Sequence, residues 1–342
     1  MGILMVRNVL VAIPTLNEAL HIEAVIDQLY VDLPACEVQF VIADGGSTDG
    51  TVEVIRRLTE DRQGLSFVHN PQRLQSAGVN LAVRQYGQDA DVLVRCDAHA
   101  SYPRGFLRSL VESLQEVDAD SVVVPMDSVG DSCLQRAVAW VSDSAIGSGG
   151  SAHRGGRQSR FVDHGHHAAI KMESFRRAGG YVETFSHNED AEFDCRLRAL
   201  GGKIYLDTDI RIEYQPRASL PKLFKQYFNY GKGRSRTVRR HPTSFKVRQF
   251  AVPAFMSACA VAIVLSPLLP LLLMLPAFYI FVLAATSLSI TLKKRSVCGL
   301  LAGPAAMTMH VSWALGFMSG ILLLRESQWR PGKSFDGTGE AI

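Results

Sequence analysis

An acid and an imidazole two residues apart, Asp97 and His99, end the stretch Arg95-Cys96-Asp97-Ala98-His99, which follows the strand-like run Asp91–Arg95. If strand geometry persists through them, both side chains point to one face. A carboxylate and an imidazole suit Mn2+ or Mg2+, the divalent ions that accompany a diphosphate. By itself Asp-x-His also describes an ordinary turn, so its meaning depends on what else reaches the same place.

Four other stretches carry chemistry. Pro14-Thr15-Leu16-Asn17-Glu18 is a polar loop, although Asn17 and Glu18 also suit a helix start. In Asp44-Gly45-Gly46-Ser47-Thr48-Asp49-Gly50, an acid precedes two glycines that let a ligand approach the backbone. Thr48 or Asp49 is nearer than Asp44 to the helix that follows, and so better placed to cap it. His164-Gly165-His166-His167 invites a zinc reading, but no Cys or carboxylate at the usual ligand spacing accompanies it. That leaves a substrate-facing or structural role. In His187-Asn188-Glu189-Asp190, the two acids either complement a helix dipole or supply a general base.

The elements that position these residues follow from hydrophobic patterning. Val9–Ile13, Val38–Ala43, Leu65–His69, Asp91–Arg95 and Ser121–Pro125 read as strands; Ala19–Leu33, Thr51–Glu60, Leu74–Tyr86 and Pro103–Val117 read as helices. Strand and helix alternate four times in about a hundred residues, which predicts an α/β fold with a mostly parallel sheet. Ligands in such sheets bind at the carboxyl ends of the strands. Pro14–Glu18, Asp44–Gly50 and Asp97–His99 all fall there. Beyond the sheet, Gly147–Arg160 is rich in Gly, Ser and Arg, either a loop that orders over a diphosphate or an ordinary connection. A helix Ala191–Leu200 and strands Lys203–Asp207 and Ile210–Tyr214 complete this half.

Charge and hydropathy divide the chain. The net charge of +3 combines a first half, residues 1–213, with 20 basic and 30 acidic residues, and a remainder with 16 and 3. Leu220–Arg248 interleaves Lys and Arg with Phe224, Tyr227, Phe228 and Tyr230, as a segment lying on a membrane surface would. No charged residue occurs in Phe250–Leu292 or in Ser296–Leu324. Divided at Pro267 and Pro270, these runs predict three membrane spans near Phe250–Ser266, Leu271–Leu292 and Gly299–Leu324. The basic flanks Arg239–Arg248 and Lys293–Arg295 place the first half in the cytoplasm. The domain expectation is a catalytic domain over 1–219, a basic interface segment over 220–248, three spans over 249–325 and a polar tail over 326–342. Because the basic band abuts apolar spans, nucleic acid is discounted as a partner. No Gly-x-x-x-x-Gly-Lys or Gly-x-Gly-x-x-Gly loop follows the strands, which argues against kinases, ATPases and dinucleotide enzymes. The six cysteines show no paired or metal-type spacing and read as reduced thiols. Met1–Arg7 lacks the long apolar core of a cleaved signal peptide.

Ile13–Glu18, Asp44–Gly50, the Asp97 element and Asn188–Asp190 together resemble the family-two inverting glycosyltransferases of the GT-A fold, over roughly residues 8–240. Asp-Ala-His, His-Gly-His-His and His-Asn-Glu-Asp-Ala-Glu-Phe-Asp resemble its succinoglycan (exopolysaccharide) glucosyltransferases, which carry a C-terminal membrane region. The resemblance implies a UDP-sugar donor (UDP-glucose), a lipid-linked saccharide acceptor and a multi-pass protein of a bacterial plasma membrane. It implies that Pro14, Thr15, Asn17 and Glu18 line the uridine pocket and that Asp44 accepts a hydrogen bond from the uracil N3. Arg73 and Asn80 match the helix bordering the nucleotide, and Glu189 adjoins the matched base. Asp97 and His99 match the Asp-x-Asp metal element, with His99 replacing the second acid, so a divalent Mn2+ or Mg2+ is implied. Asp190 matches the catalytic base. Gln226 and Arg234 lie where related synthases carry a Gln-x-x-Arg-Trp element, which is incomplete here.

Overall fold

The computed structural model describes residues 5–148 and 158–331. In chain order, its first half runs β1 (Asn8–Thr15), α1 (Ile22–Leu29), β2 (Glu37–Asp44), α2 (Thr51–Asp61), β3 (Leu65–His69), α3 (Gln75–Tyr86), β4 (Val92–Arg95), β5 (Ala100–Ser101), α4 (Phe106–Glu116), β6 (Ser121–Val124), β7 (Met126–Ser128), α5 (Cys133–Ser142) and α6 (Ala145–Ser148). There follow β8 (Arg160–Val162), β9 (His166–Lys171), α7 (Met172–Arg177), α8 (Glu189–Ala199), β10 (Ile204–Leu206), β11 (Ile212–Tyr214), α9 (Leu220–Arg240), α10 (Val247–Leu265), α11 (Met274–Lys294) and α12 (Ala302–Leu323). Two compact units result, one essentially of residues 5–127 and 158–214, the other of 128–148 and 215–329. Residues 128–148, expected in the catalytic domain, group with the C-terminal helices. The Gly147–Arg160 loop expectation falls mainly on 149–157, outside the described residues, as does the tail beyond 331.

The first unit is built on an eight-stranded sheet of order β3-β2-β1-β4-β9-β6-β10-β8. The pairs β1–β2, β2–β3, β1–β4 and β6–β10 are parallel, as the alternating pattern predicts. The sheet is nonetheless mixed, because β9 inserts antiparallel to both β4 and β6 and β8 runs antiparallel to β10. The register sets Thr15 beside Asp44 and Asp44 beside His69, so the carboxyl ends of β1–β3 lie level. The residues of β1 are buried from Val9 onward, on both faces, as a central parallel strand requires. Helix α1 buries Ile22, Val25, Ile26 and Leu29, its i, i+3, i+4, i+7 face. Each such side chain contributes about 1.5–3 kcal/mol.

Strand geometry does not persist through Asp97 and His99. The chain leaves β4 after Arg95, whose partner is Ala12, and the Asp97 amide donates to the Tyr102 hydroxyl at 2.6 Å instead of to a strand. Asp97 and His99 therefore do not share a strand face, because a local hydrogen bond to Tyr102 closes a turn there.

In the second unit α9 packs along α12 at backbone contact. A Cβ on Gly231 would stand 2.1 Å from the Trp313 carbonyl oxygen, and one on Gly316 1.9 Å from that of Phe228. Small residues permit this approach. Arg239 of α9 donates to the Gly320 and Leu324 carbonyls at the end of α12, satisfying carbonyls that a helix end leaves open, and Arg236 pairs with Glu326 just beyond it at 2.6 Å. Two helices, Pro270–Lys294 and Val297–Leu323, are long and apolar enough to cross a membrane. The third expected span is a helix, but its apolar part, Gln249–Leu265, stops at 17 residues, short of that length. Cys133 and Cys298 form a disulfide, which corrects the reading of six thiols. Their separation of 165 residues leaves no spacing signal to read.

Candidate active site

Two loops at the carboxyl ends of β1 and β2 are locked to each other. Asn17 takes a left-handed conformation (φ 57°), which frees its amide to donate to Ser47 Oγ at 2.8 Å, while its side-chain oxygen accepts from the Thr48 amide at 2.8 Å. The Glu18 amide donates to Thr51 Oγ1 at 2.8 Å. Below them the Gly45 amide donates to the Thr15 carbonyl at 2.8 Å. Buried Asp44 organises the second loop, accepting from the Gly46 and Ser47 amides at 2.8 and 3.0 Å and from the Ser47 hydroxyl. Asp49, not Asp44, serves the start of α2, through the Thr51 amide and hydroxyl. Arg73, itself left-handed at φ 60°, donates from Nε and Nη2 to the Gly45 and Gly46 carbonyls at 2.8 and 3.1 Å. Pro14, Thr15, Asn17, Glu18, Asp44 and Arg73 are thus gathered at one sheet edge. Asn80 is buried within α3, where its amide bridges Tyr181 and Glu183.

Beside this edge lies a buried charge cluster. Arg95, the last residue of β4, reaches Glu189 at 3.0 Å, Gln75 at 2.8 Å and Asp97 at 3.7 Å, with its guanidinium over the Tyr181 ring. Asp97 also meets His166 Nε2 at 3.3 Å. Burial by itself would raise the Asp97 carboxyl, but His166 and Arg95 outweigh it and hold the group well below the usual carboxylate range. Glu189 moves the other way: burial raises it, aided by neighbouring Asp190, against the pull of Arg95. His99 meets Glu18, Nδ1 to Oε1 at 2.9 Å. Asp190 occupies the first turn of α8, after left-handed Asn188 (φ 64°), and its Oδ1 accepts from the Ala191 amide at 2.7 Å. Buried Arg196, paired with Glu192 at 2.7 Å, anchors the same helix to the Ala178 carbonyl.

Gln226 and Arg234 belong to the second unit, where they bond Tyr230 and the Ser244 carbonyl at 3.0 and 2.9 Å. His166 and Arg95 join the buried charge cluster although neither is among the candidate site residues read from the sequence. His166 had a signal, its place in the histidine cluster; Arg95 had none beyond adjoining Asp97.

Among the described residues, no three His, Cys, Asp or Glu side chains gather as a metal cluster. Asp97 Oδ1 and Arg95 Nε and Nη1 are nonetheless buried without a hydrogen-bond partner there. Buried polar atoms of this kind call for a partner, which a water, an ion or a ligand can supply. An ionised carboxylate with an oxygen to spare fits a divalent ion shared between protein and diphosphate, not one caged by protein alone.

Residues 10–179 match the model of Glycosyl transferase family 2. The chain is also 44% identical, over 321 residues, to succinoglycan biosynthesis protein ExoA of Rhizobium meliloti (strain 1021), covering 92% of this chain and 96% of that protein. The chain belongs to glycosyl transferase family 2. A more distant relative of this glycosyltransferase is the dolichyl N-acetyl-alpha-D-glucosaminyl phosphate 3-beta-D-2,3-diacetamido-2,3-dideoxy-beta-D-glucuronosyltransferase of Methanococcus voltae, 24% identical over 239 residues, 67% of this chain and 74% of that one. Two solved structures share its GT-A fold. The mannosyltransferase PcManGT from Pyrobaculum calidifontis, in complex with GDP-Man and Mn2+, aligns with a TM-score of 0.63 at 20% identity over 92% of this chain and 87% of its own. GalNAc-T7 with UDP, GalNAc and Mn2+ aligns at 0.50 and 13% identity over 74% and 51%.

Proposed function

We propose that this glycosyltransferase moves one glucose from UDP-glucose, with inversion, to a saccharide carried on a lipid diphosphate during succinoglycan-type exopolysaccharide synthesis. The observation that carries this reading is the buried Arg95–Asp97–Glu189–His166 cluster, with its unsatisfied polar atoms, beside the interlocked loops of Asp44 and Asn17. The near-full-length likeness to ExoA supports the pathway. The two long apolar helices support a membrane-bound acceptor, as does the Methanococcus relative, whose name describes transfer to a dolichyl-linked sugar phosphate.

Pro14, Thr15, Asn17 and Glu18 hold the uridine, and Asp44 retains acceptor capacity for the uracil N3–H beyond its bonds to the loop. Asp97, with His99, would hold a divalent ion, which would supply charge neutralisation for the departing UDP. Asp190 removes the proton from an acceptor hydroxyl as that oxygen attacks the anomeric carbon opposite the diphosphate. The new C–O bond forms as the bond to UDP breaks, so an α-linked donor gives a β-linked product. A single displacement needs this one base and no protein nucleophile. The first unit works at the cytoplasmic face of a bacterial plasma membrane, with α11 and α12 as spans.

The test supplies membranes with labelled nucleotide sugars, with Mn2+ or EDTA, followed by lipid extraction and linkage analysis. Label should pass from UDP-glucose to a lipid-linked oligosaccharide and stop in EDTA. Transfer to plain polyprenyl phosphate, with no glycan present, would make the chain a polyprenyl-phosphate sugar synthase instead.

A further inference from the structure

Four polar side chains recur at every fourth position along α3 and the turn before it: Gln72, Ser76, Asn80 and Arg84. At helical spacing they share one face. All four donate to one short stretch, Tyr181–Phe185. Gln72 reaches Glu183 Oε2 at 2.7 Å, and Asn80 and Arg84 reach its Oε1 at 3.0 and 2.7 Å. Asn80 also donates to the Tyr181 carbonyl at 2.7 Å and accepts from its amide at 2.9 Å, and Ser76 donates to the Phe185 carbonyl at 3.1 Å. Glu183 is 3% exposed, yet it lies in neither a strand nor a helix. A buried carboxylate that gathers three side-chain donors fixes the course of an otherwise irregular stretch. Gly180, left-handed at φ 68°, completes the fit, since a Cβ there would stand 2.8 Å from Asn80 Oδ1.

That stretch leads directly into α8, which carries Asp190 in its first turn. A second tie ends beside Asp190. Gln75 on α3 accepts from Arg95 Nη2 at 2.8 Å, and the same nitrogen meets Glu189 at 3.0 Å. The helix is also fastened to the loops after β1 and β2. Arg73, just before it, donates to the Gly45 and Gly46 carbonyls. Gly78, on the side of α3 away from Ser76 and Asn80, lets the helix lie on the strand ends: a Cβ there would stand 3.2 Å from that of Ala43 and 3.4 Å from that of Pro14. One helix therefore touches the loops of Asp44 and Asn17 on one side and the approach to Asp190 on the other.

We propose that α3 is the strut that sets the base against the donor, and that Glu183 is the positioning residue through which it does so. This rests on Asp190 being the base. Glu183 acts on the reaction only by fixing where α8 begins.

The test is Glu183→Ala in the full-length protein, with transfer expressed per UDP-glucose-binding site, counted by calorimetry with Mn2+ on detergent-solubilised protein. Counting sites removes any unfolded fraction, so a loss of stability alone leaves this kcat unchanged. Donor affinity and acceptor KM should stay within about twofold, while kcat falls about ten- to a hundredfold, the order that a misplacement near 1 Å costs. Glu183→Gln should recover most of the loss, since an amide oxygen still accepts from Asn80 and Arg84. Should Glu183→Ala bind no donor, Ser76→Ala, which removes only the hydroxyl bonded to Phe185, carries the same test, with kcat down about threefold. An unchanged kcat per site overturns the proposal, as does a change in donor affinity or acceptor KM that accounts for the whole loss. Combination with Asp190→Asn separates the strut from the base assignment. If Glu183 acts through Asp190, Glu183→Ala lowers the residual transfer of Asp190→Asn no further. A full multiplicative loss would overturn the strut and leave the base standing. Native transfer by Asp190→Asn alone would defeat the base assignment itself, whatever Glu183→Ala does.

Discussion

Arg95→Met tests the charge cluster by removing its cation while keeping much of the volume. Arg95 is buried and lies within 3.0 Å of Glu189 and 3.7 Å of Asp97, both nearly buried themselves. Taking away one member of a buried ion network leaves the others uncompensated and costs about 3–5 kcal/mol. For a unit of this size each kcal/mol moves the melting temperature by roughly 2–4 °C, so a fall of about 6–20 °C is expected. The loss also has a pH signature. In the native protein Asp97 is held below its unfolded value, so its contribution is present at neutral pH and vanishes only in strong acid. Without Arg95 the Glu189 carboxyl, already raised by burial, is raised further, whereas Asp97 keeps the lowering by His166; through Glu189 the variant gains stability as pH falls and loses it as pH rises above the unfolded carboxylate range. The gap between variant and native protein should therefore be narrower at pH 5 than at pH 8. Arg95→Met/Glu189→Gln should recover part of the loss, because one orphaned charge is gone. Thermal unfolding in detergent at the two pH values is the assay. An Arg95→Met protein that melts with the native one at both would refute the account of the cluster.

Asp97→Asn should weaken Mn2+-dependent UDP binding at least tenfold and make the residual binding insensitive to EDTA, measured by calorimetry. Asn80→Ala should cost roughly 1–3 kcal/mol, read by thermal unfolding, because its amide is the partner of the Tyr181 backbone and of buried Glu183.

The parts of this fold made by local patterning were legible in sequence. Val9–Ile13 and Val38–Ala43 are continuous apolar runs that only a buried strand uses, and Ile22, Val25, Ile26 and Leu29 repeat at helical spacing. The loops after them could be placed at one sheet edge for that reason. What escaped depends on distant pairing. Strand β9 begins with two histidines and has one β-branched residue, Ile170, so nothing local marks it as the antiparallel strand beside β4. Missing it hid the approach of His166 to Asp97. The Arg95–Glu189 pair and the Cys133–Cys298 bridge likewise join distant residues with no periodic relation. In the C-terminal half, basic and aromatic residues of α9 suggested a segment resting on a membrane surface. The glycines at 231 and 316 also seat that helix directly on α12, a contact that no local pattern announced.

The central claim is that Asp190 is the base of a sugar transfer whose donor is held by other residues. Asp190→Asn changes one oxygen for a nitrogen at the start of α8 and leaves the loops of Asp44 and Asn17 untouched. Donor affinity and transfer of labelled glucose to the membrane lipid fraction, measured on one preparation of Asp190→Asn, decide it. Native UDP-glucose affinity with transfer reduced at least a thousandfold is the predicted result; transfer at the native rate would contradict it.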